Sequence, residues 1–392
     1  MKNQLKNKVL LSYLNCMLKI LCLSRAPLDY RAGIPAYCLN LYGTKKFNVD
    51  VHSYDLSKSN GRKSTRIIEG VNEVVHPSEI IFGTIAFSLS YLKYIFIESK
   101  KYNFIHVQHP DPLSAIGAIL AKLRNKRIKI LITWHAEIYK SYLYAAPILF
   151  AIDLILFSMA FKLIYFTPYH IKDSLLAKIP CFNTKIFSIP NCIKSPTLDE
   201  AIIKSKKRNS IKGKRNVQLL SIGRLVKYKG YEYAIEAMKD LDSSITYTII
   251  GTGPLKVELT KLIYDLHLEE RVSLVGEVSD LKKEDLLLNS DIFLFPSISK
   301  SEAYGLVQLE AMFFRLPIIN TSLKNGVNYL APKNVAITCN PKSSSQISEA
   351  VNKLIFDESF YKKLSDASYS NLNEFDFNRM VDDYMVLFHK KY

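Results

Sequence analysis

The sequence predicts an α/β protein made of two Rossmann-like, doubly wound domains. Three observations predict it. In the second half, apolar β-type runs end in tight turns that open helices: Val217–Gly223, Ile249–Gly251, and Asp291–Pro296 followed by Gly305. Strand, glycine and helix in that order describe a parallel sheet whose ligand edge lies at its carboxyl ends. The first half alternates in the same way, with strand-type runs at Ile20–Leu23, Val49–His52, Phe104–Val107 and Ile128–Trp134. Finally, 392 residues with 48% hydrophobic content suffice for two cores.

Taken in order, the chain opens with a basic, partly apolar stretch interrupted by Ser12, Asn15 and Lys19. Residues 1–16 read as a non-core extension or a misplaced start, and the first strand follows from Met17. Arg31-Ala32-Gly33-Ile34-Pro35 is a turn, with Pro35 suited to the first positions of a helix over Ala36–Leu41. Two longer apolar segments, Ile80–Ile97 and Tyr142–Phe166, read as buried helices. Each carries charge inside, Lys93 in one and Asp153 and Lys162 in the other, which disfavours a membrane span. Pro147–Met159 has no positive charge and several exposed-looking aromatics, which suits interfacial contact with a membrane. The domain boundary is expected near residue 192, at Ile189-Pro190-Asn191-Cys192-Ile193, and the Lys- and Arg-rich stretch Lys204–Arg215 reads as solvated surface. The expected organisation is therefore 17–192, 193–376 and a closing helix 377–392 that packs back on the first domain.

Composition narrows the partners. The net charge of +17 suits phosphorylated substrates or an anionic membrane surface. Nucleic acid is disfavoured, because the lysines are dispersed and no recognised binding module is present. Six scattered cysteines without a C-x-x-C pair fit a reducing compartment and exclude an ordinary structural zinc site. Asp240-Leu241-Asp242 has the form of a divalent-metal motif, but it follows a helix (Glu232–Lys239) and precedes a strand (Ile245–Ile250). That places it at the amino end of the sheet, away from ligands, so it reads as a loop and no metal or cofactor is expected.

The candidate chemistry lies in two loops. Gly223-Arg224-Leu225 and Lys229-Gly230 follow a strand, and Ser301-Glu302-Ala303-Tyr304-Gly305-Leu306-Val307-Gln308-Leu309-Glu310 opens a helix. Arg224 offers a planar fork and Lys229 a movable charge to phosphate oxygens. Backbone amides around Gly305, Leu306 and Val307 suit a diphosphate. Glu302 and Glu310 lie eight positions apart; for such a pair alone, two solvated carboxylates flanking a strand-to-helix connection are the simpler account.

Read together, G-R-L…K-G, then Gly251-Thr252-Gly253-Pro254-Leu255, then S-E-A-Y-G-L-V-Q-L-E-A-M resemble the family 4 retaining glycosyltransferases of the GT-B fold. The wording is nearest to bacterial O-antigen mannosyltransferases. The resemblance implies two Rossmann-like domains facing each other across a cleft and transfer of a hexose, mannose from GDP-mannose foremost. The implied acceptor is a lipid-linked saccharide of surface-polysaccharide synthesis, at the cytoplasmic face of the membrane. It implies that Glu302 contacts the donor sugar, Glu310 holds the ribose, and Gly33, Gly223, Arg224, Lys229 and the Gly305–Val307 amides hold the diphosphate. His135 is implied to be catalytic with Glu302, Arg224 and Lys229, and His109 and Glu137 to line the cleft on the acceptor side. Two departures stand out. Ala32 replaces the first glycine of the family's first turn, and Ala136-Glu137 stand where related chains read Ser-Asp. Two other readings remain: a GT-B enzyme of another reaction type, such as a nucleotide-sugar epimerase or a phosphorylase, and a catalytically inactive, membrane-associated assembly partner.

Overall fold

The computed structural model describes residues 18–30, 33–56, 62–82, 85–136, 139, 143–199, 211, 213 and 216–389. Ala32, Glu137, the 1–16 extension and most of the basic stretch 204–215 therefore lie outside the described residues. The chain divides into two compact units, Met1–Asn191 with Asn378–Tyr392, and Cys192–Phe377.

In the first unit, β1 (Lys19–Leu23), β2 (Asn48–Tyr54), β3 (Ser64–Ile68), β4 (Val71–His76), β7 (Phe104–His109), β8 (Lys129–Trp134), β9 (Ala160–Tyr165) and β10 (Ile186–Ser188) form one sheet. Its order is β10-β9-β8-β7-β1-β2-β4-β3, parallel except for the β3–β4 pair. The chain winds from β1 outward to β2 on one side and returns to β7 on the other, so the switch point lies between β1 and β7. One face is apolar, with Leu21, Leu23, Ile105, Val107, Ile130, Ile132 and Trp134 in a single core. It packs against α2 (Leu89–Glu98), α3 (Pro112–Arg124) and α4 (Ala146–Met159).

The opposite face carries buried polar residues among apolar ones such as Phe104 and Leu131. Period-two alternation along β7 and β8 puts His106, Gln108 and Thr133 together on it. His106 Nδ1 lies 2.5 Å from the Tyr42 hydroxyl and its Nε2 2.7 Å from Thr133 Oγ1. Thr133 reaches Tyr384 at 3.1 Å, and Tyr384 is hydrogen-bonded to Tyr37. Tyr37 and Tyr42 belong to α1 (Ile34–Tyr42), and Tyr384 to the closing helix (Phe377–His389). Polar strand residues that would be costly if unpaired are satisfied here by tyrosines brought in from far along the chain.

Two apolar segments differ from expectation. Ile80–Ile97 is a hairpin, β5 (Ile80–Phe82) and β6 (Ile85–Phe87), followed by α2, because Ser88 caps the helix by accepting the Tyr91 amide at 3.1 Å. Tyr142–Phe166 holds α4 and then β9, which pairs with β8 from Ile130 to Trp134. An unbroken apolar run does not distinguish helix from buried strand; the open edge of β8 decides. Nor are the aromatics of Pro147–Met159 exposed: Phe157 is buried and Phe150 half-buried, whereas Ile148, Leu154 and Ile155 face outward. Among the described residues no helix is long and apolar enough to cross a membrane.

The second unit is one parallel sheet, β13 (Val272–Gly276), β12 (Ile245–Ile250), β11 (Val217–Ile222), β14 (Ile292–Phe295), β15 (Ile318–Thr321) and β16 (Ala336–Cys339), in that spatial order. Relabelled within the unit this is 3-2-1-4-5-6, and the switch point falls between β11 and β14.

Burial holds several first-unit histidines neutral. It pushes His106 down to about 3, and burial followed by the charge of Lys63 pushes His76 down to about 4. The unfolded chain takes up these protons near pH 6.5 while the folded one does not, so stability present above that pH is lost as pH falls toward 4. Each such histidine is expected to contribute a slope of ~1.4 kcal/mol per pH unit. Urea denaturation of His106→Gln should show a shallower acid loss than the native chain, and superimposable pH curves would refute it.

Candidate functional site

At the switch point of the second unit two loops meet. After β11 the chain passes Gly223, at φ 151°, and Arg224, then makes a short turn, Lys227–Lys229, closed by left-handed Gly230 at φ 64°. After β14 it runs through Pro296 and Ser297 to Glu302 and Gly305 (φ 80°), then into α9 (Val307–Phe313). The helices between are α5 (Pro168–Asp173), α6 (Tyr231–Ala237), α7 (Lys256–Asp265) and α8 (Asp280–Asn289). Glycine is required where the loops touch. A Cβ at Gly230 would stand 2.4 Å from the Pro296 carbonyl oxygen, and one at Gly251 only 2.0 Å from that of Gly223. The Ile298 amide donates to the Tyr228 carbonyl at 2.8 Å and that of Leu225 to the Thr252 carbonyl at 2.8 Å, so these two loops and the Gly251–Gly253 turn after β12 form one hydrogen-bonded edge.

On that edge Lys229 Nζ sits 2.5 Å from Glu302 Oε2, with both residues buried. The ammonium also lies 4.9 Å from the centre of the Phe295 ring. Ser297 donates to the same carboxylate oxygen at 3.3 Å, and Asn325 Nδ2 donates to the Glu302 carbonyl at 2.5 Å. Gly223 makes room for the lysine: a Cβ there would come within 3.1 Å of Nζ. Arg224 is exposed on the same edge. Burial raises the Tyr228 hydroxyl, Glu302 raises it further and Arg224 opposes, so both charges act on one ring. A buried cation and anion in contact, beside an exposed guanidinium, can exchange partners with an anionic group and a polyol.

Glu310 is placed differently. It lies on α9 and pairs with Lys283 of α8 at 3.0 Å, and Lys283 also meets Asp280 at 3.3 Å. Burial raises the Glu310 carboxyl, with Lys283 opposing. Gln308, fully buried, donates to the Val327 carbonyl at 3.1 Å and accepts from Asn320 at 3.1 Å, anchoring α9 behind the site. At the start of α9 the Gln308 and Leu309 amides donate to the Gly305 and Leu306 carbonyls at 3.0 and 2.9 Å. Lys283, Gln308 and Asn325 are not singled out by sequence. Their role depends on which loops become neighbours, although the Gln308 position inside the motif is a local signal.

In the first unit Gly33 caps α1 at φ 58°, with open space for 4 Å around the point where a Cβ would stand, and its carbonyl accepts the Tyr37 amide at 3.1 Å. His135 follows β8. Its Nε2 lies 2.8 Å from Gln108 Oε1, and its ring meets Tyr37 and Phe166 edge-on at 5.0 Å each. Gln108 in turn donates its amide N–H to Cys22 Sγ, so its oxygen accepts from His135, whose Nδ1 keeps a lone pair. Burial, then the neighbouring His106, His109 and His170, hold this imidazole well below its usual range. His109 needs correction. Expected to line a ligand site, it is buried, stacked on Trp134 at 4.3 Å, with Nε2 3.0 Å from Asp153 Oδ2. A strand of a sheet covered on both sides buries even its last residue. Glu137 lies outside the described residues.

Asp240 and Asp242 lie just before β12, and Asp242 accepts the Ser244 amide at 2.9 Å in a surface turn. Among the described residues no group of three or more metal-ligating side chains occurs.

Comparison with known proteins agrees with this architecture. Residues 202–371 match the family described as Glycosyl transferases group 1. The amylovoran biosynthesis glycosyltransferase AmsK of Erwinia amylovora is 33% identical over 142 residues, 34% of this chain and 35% of that protein. The alpha-D-kanosaminyltransferase of Streptomyces kanamyceticus is 30% identical over 152 residues, 38% of this chain and 39% of that protein. The chain thus spans less than two fifths of the length of either relative. Anabaena Alr3699/HepE, solved in complex with UDP, superposes with a TM-score of 0.74 at 16% identity, over 94% of this chain and 98% of that one. The fold is GT-B, with two Rossmann-like units.

Proposed function

We propose that this chain is a retaining glycosyltransferase that moves a hexose from a nucleotide-diphosphate sugar to a lipid-linked glycan of bacterial surface polysaccharide. The observation that carries the reading is the buried Lys229–Glu302 pair at the switch point of a 3-2-1-4-5-6 sheet, where such sheets bind ligands. The family match over 202–371 and the glycosyltransferase relatives support the reaction class. In this reading Lys229 and Arg224 neutralise the charge that develops on the departing diphosphate, assisted by the Gly305–Val307 backbone amides. Glu302, released from Lys229, takes the sugar hydroxyls, and Glu310 takes the ribose. His135 stays neutral and offers Nδ1 as a hydrogen-bond acceptor. The protein works at the cytoplasmic face of the membrane, held by its positive charge and by outward apolar residues of α4.

GDP-mannose is the foremost donor because the Ser301–Met312 wording resembles mannosyltransferases. A UDP-sugar is the second reading, favoured by the complex of HepE with UDP. Titration with GDP-mannose, UDP-glucose and UDP-N-acetylglucosamine discriminates them: one should bind and turn over, and binding by none would overturn the reading. No metal is proposed. Transfer should survive EDTA at full rate, since Arg224, Lys229 and helix amides take the cation's place. Activity lost on chelation and restored by manganese or magnesium would overturn that part.

A further inference from the structure

The first unit holds a cavity of about 240 Å³ at its own switch point, between the ends of β1 and β7. Tyr54, Phe87, Leu113, Ile116, Ala145 and Leu149 supply most of its wall. Two charged side chains reach it, Arg25 after β1 and Asp111 after β7. Asp111 is already committed. It accepts the Tyr54 hydroxyl at 2.6 Å, the Ser114 amide at 3.2 Å and the Ser114 hydroxyl, capping α3. Arg25 is partly exposed. Apolar side chains continue outward from the wall: Ile80 and Leu89 flank Phe87 in the hairpin and α2, and Leu143, Tyr144 and Ile148 flank Ala145 and Leu149. All five are more than half exposed.

We propose that this cavity binds one hydrocarbon chain of a phosphate-headed lipid, with Arg25 meeting the phosphate. The inference deepens the reading above, because it assigns a place to the lipid part of the acceptor. The wall selects the chemistry. A peptide or sugar entering it would lose hydrogen bonds to water and find side-chain partners only in Arg25, Tyr54 and Asp111, the last two bonded to each other. A methylene chain has nothing to lose, and gains by leaving water. An apolar collar of this kind around an apolar cavity is uncommon on a surface that faces only water. The cation stands where an anionic head would sit, and the net charge of +17 favours approach to anionic lipid.

The test is calorimetric titration of the intact chain with dodecyl phosphate below its micellar concentration, with dodecanol and inorganic phosphate as separate probes. Dodecyl phosphate should bind one to one with a negative heat-capacity change, dodecanol more weakly, and inorganic phosphate should not compete. Ala145→Trp, at an exposed position on the cavity wall, should fill the mouth and weaken dodecyl phosphate binding by about tenfold or more. Phe87→Ser, also exposed, should weaken it too, and serves if the first variant does not fold. Absence of saturable binding, or equal binding by a folded Ala145→Trp, would overturn the proposal. So would competition by inorganic phosphate, which would mark an anion site without a chain. Donor binding is measured on the same samples: its loss sinks the glycosyltransferase reading, whereas loss of chain binding alone sinks only the lipid pocket.

Discussion

Lys229→Ala is expected to lower transfer by about a hundredfold or more and to destabilise the second unit by roughly 3–5 kcal/mol. The two effects have one origin. The ammonium lies 2.5 Å from Glu302 in a buried loop, so its removal leaves a carboxylate without its cation in a poor solvent for charge. By sequence alone, each residue reads as removable with the fold intact. The contact between them changes that expectation for the lysine. Glu302→Gln should keep the shape and lose the charge, lowering transfer by about a hundredfold. Lys229→Met combined with Glu302→Gln should regain much of the stability lost by Lys229→Ala and none of the transfer. Urea denaturation and initial rates on the same preparations read both effects. Near-normal transfer by a folded single variant would remove that residue from the site, and strictly additive stabilities would mean that the pair is uncoupled.

Gly251→Ala is expected to be nearly as damaging, although Gly251 offers no chemistry. Its φ of 140° lies where only glycine is comfortable, and an added Cβ would stand 2.0 Å from the Gly223 carbonyl oxygen. Backbone cannot swing aside as a flexible side chain does, so the loop bearing Arg224 and Lys229 must shift. A displacement of about 1 Å at a reacting centre costs on the order of a hundredfold in rate. Gly276→Ala is the control. It also has positive φ, at 74°, but nothing within 4 Å of the added carbon, so it should cost about 1 kcal/mol of stability and little rate. Equal behaviour of the two variants in rate and melting temperature would refute the steric account.

Local pattern alone determined several things about this chain. Two doubly wound units, the glycines that end strands, and the place of the loops after β11 and β14 at the carboxyl edge of the sheet were legible because they depend on neighbours in sequence. Alternation of apolar runs sets strands, and positive φ sets glycine. The position of Asp240 and Asp242 at the amino end was legible for the same reason.

Which side chains meet was decided by tertiary structure. Lys229 and Glu302 are separated by more than seventy positions and become partners because β11 pairs with β14, Leu219 beside Ile292. Gln108 reaches His135, and Tyr384 reaches Thr133 across about 250 positions, through sheet register and helix docking that no local window contains. His109 carries a local signature like that of His135, yet one packs under Trp134 and the other has a partly exposed place beside Gln108. The apolar run from Tyr142 to Phe166 is one pattern in sequence, and only the vacant edge of β8 turned Ala160–Tyr165 into a strand after the helix. Hydrophobicity is a property of each residue, whereas hydrogen-bond partners and strand edges belong to the assembled fold.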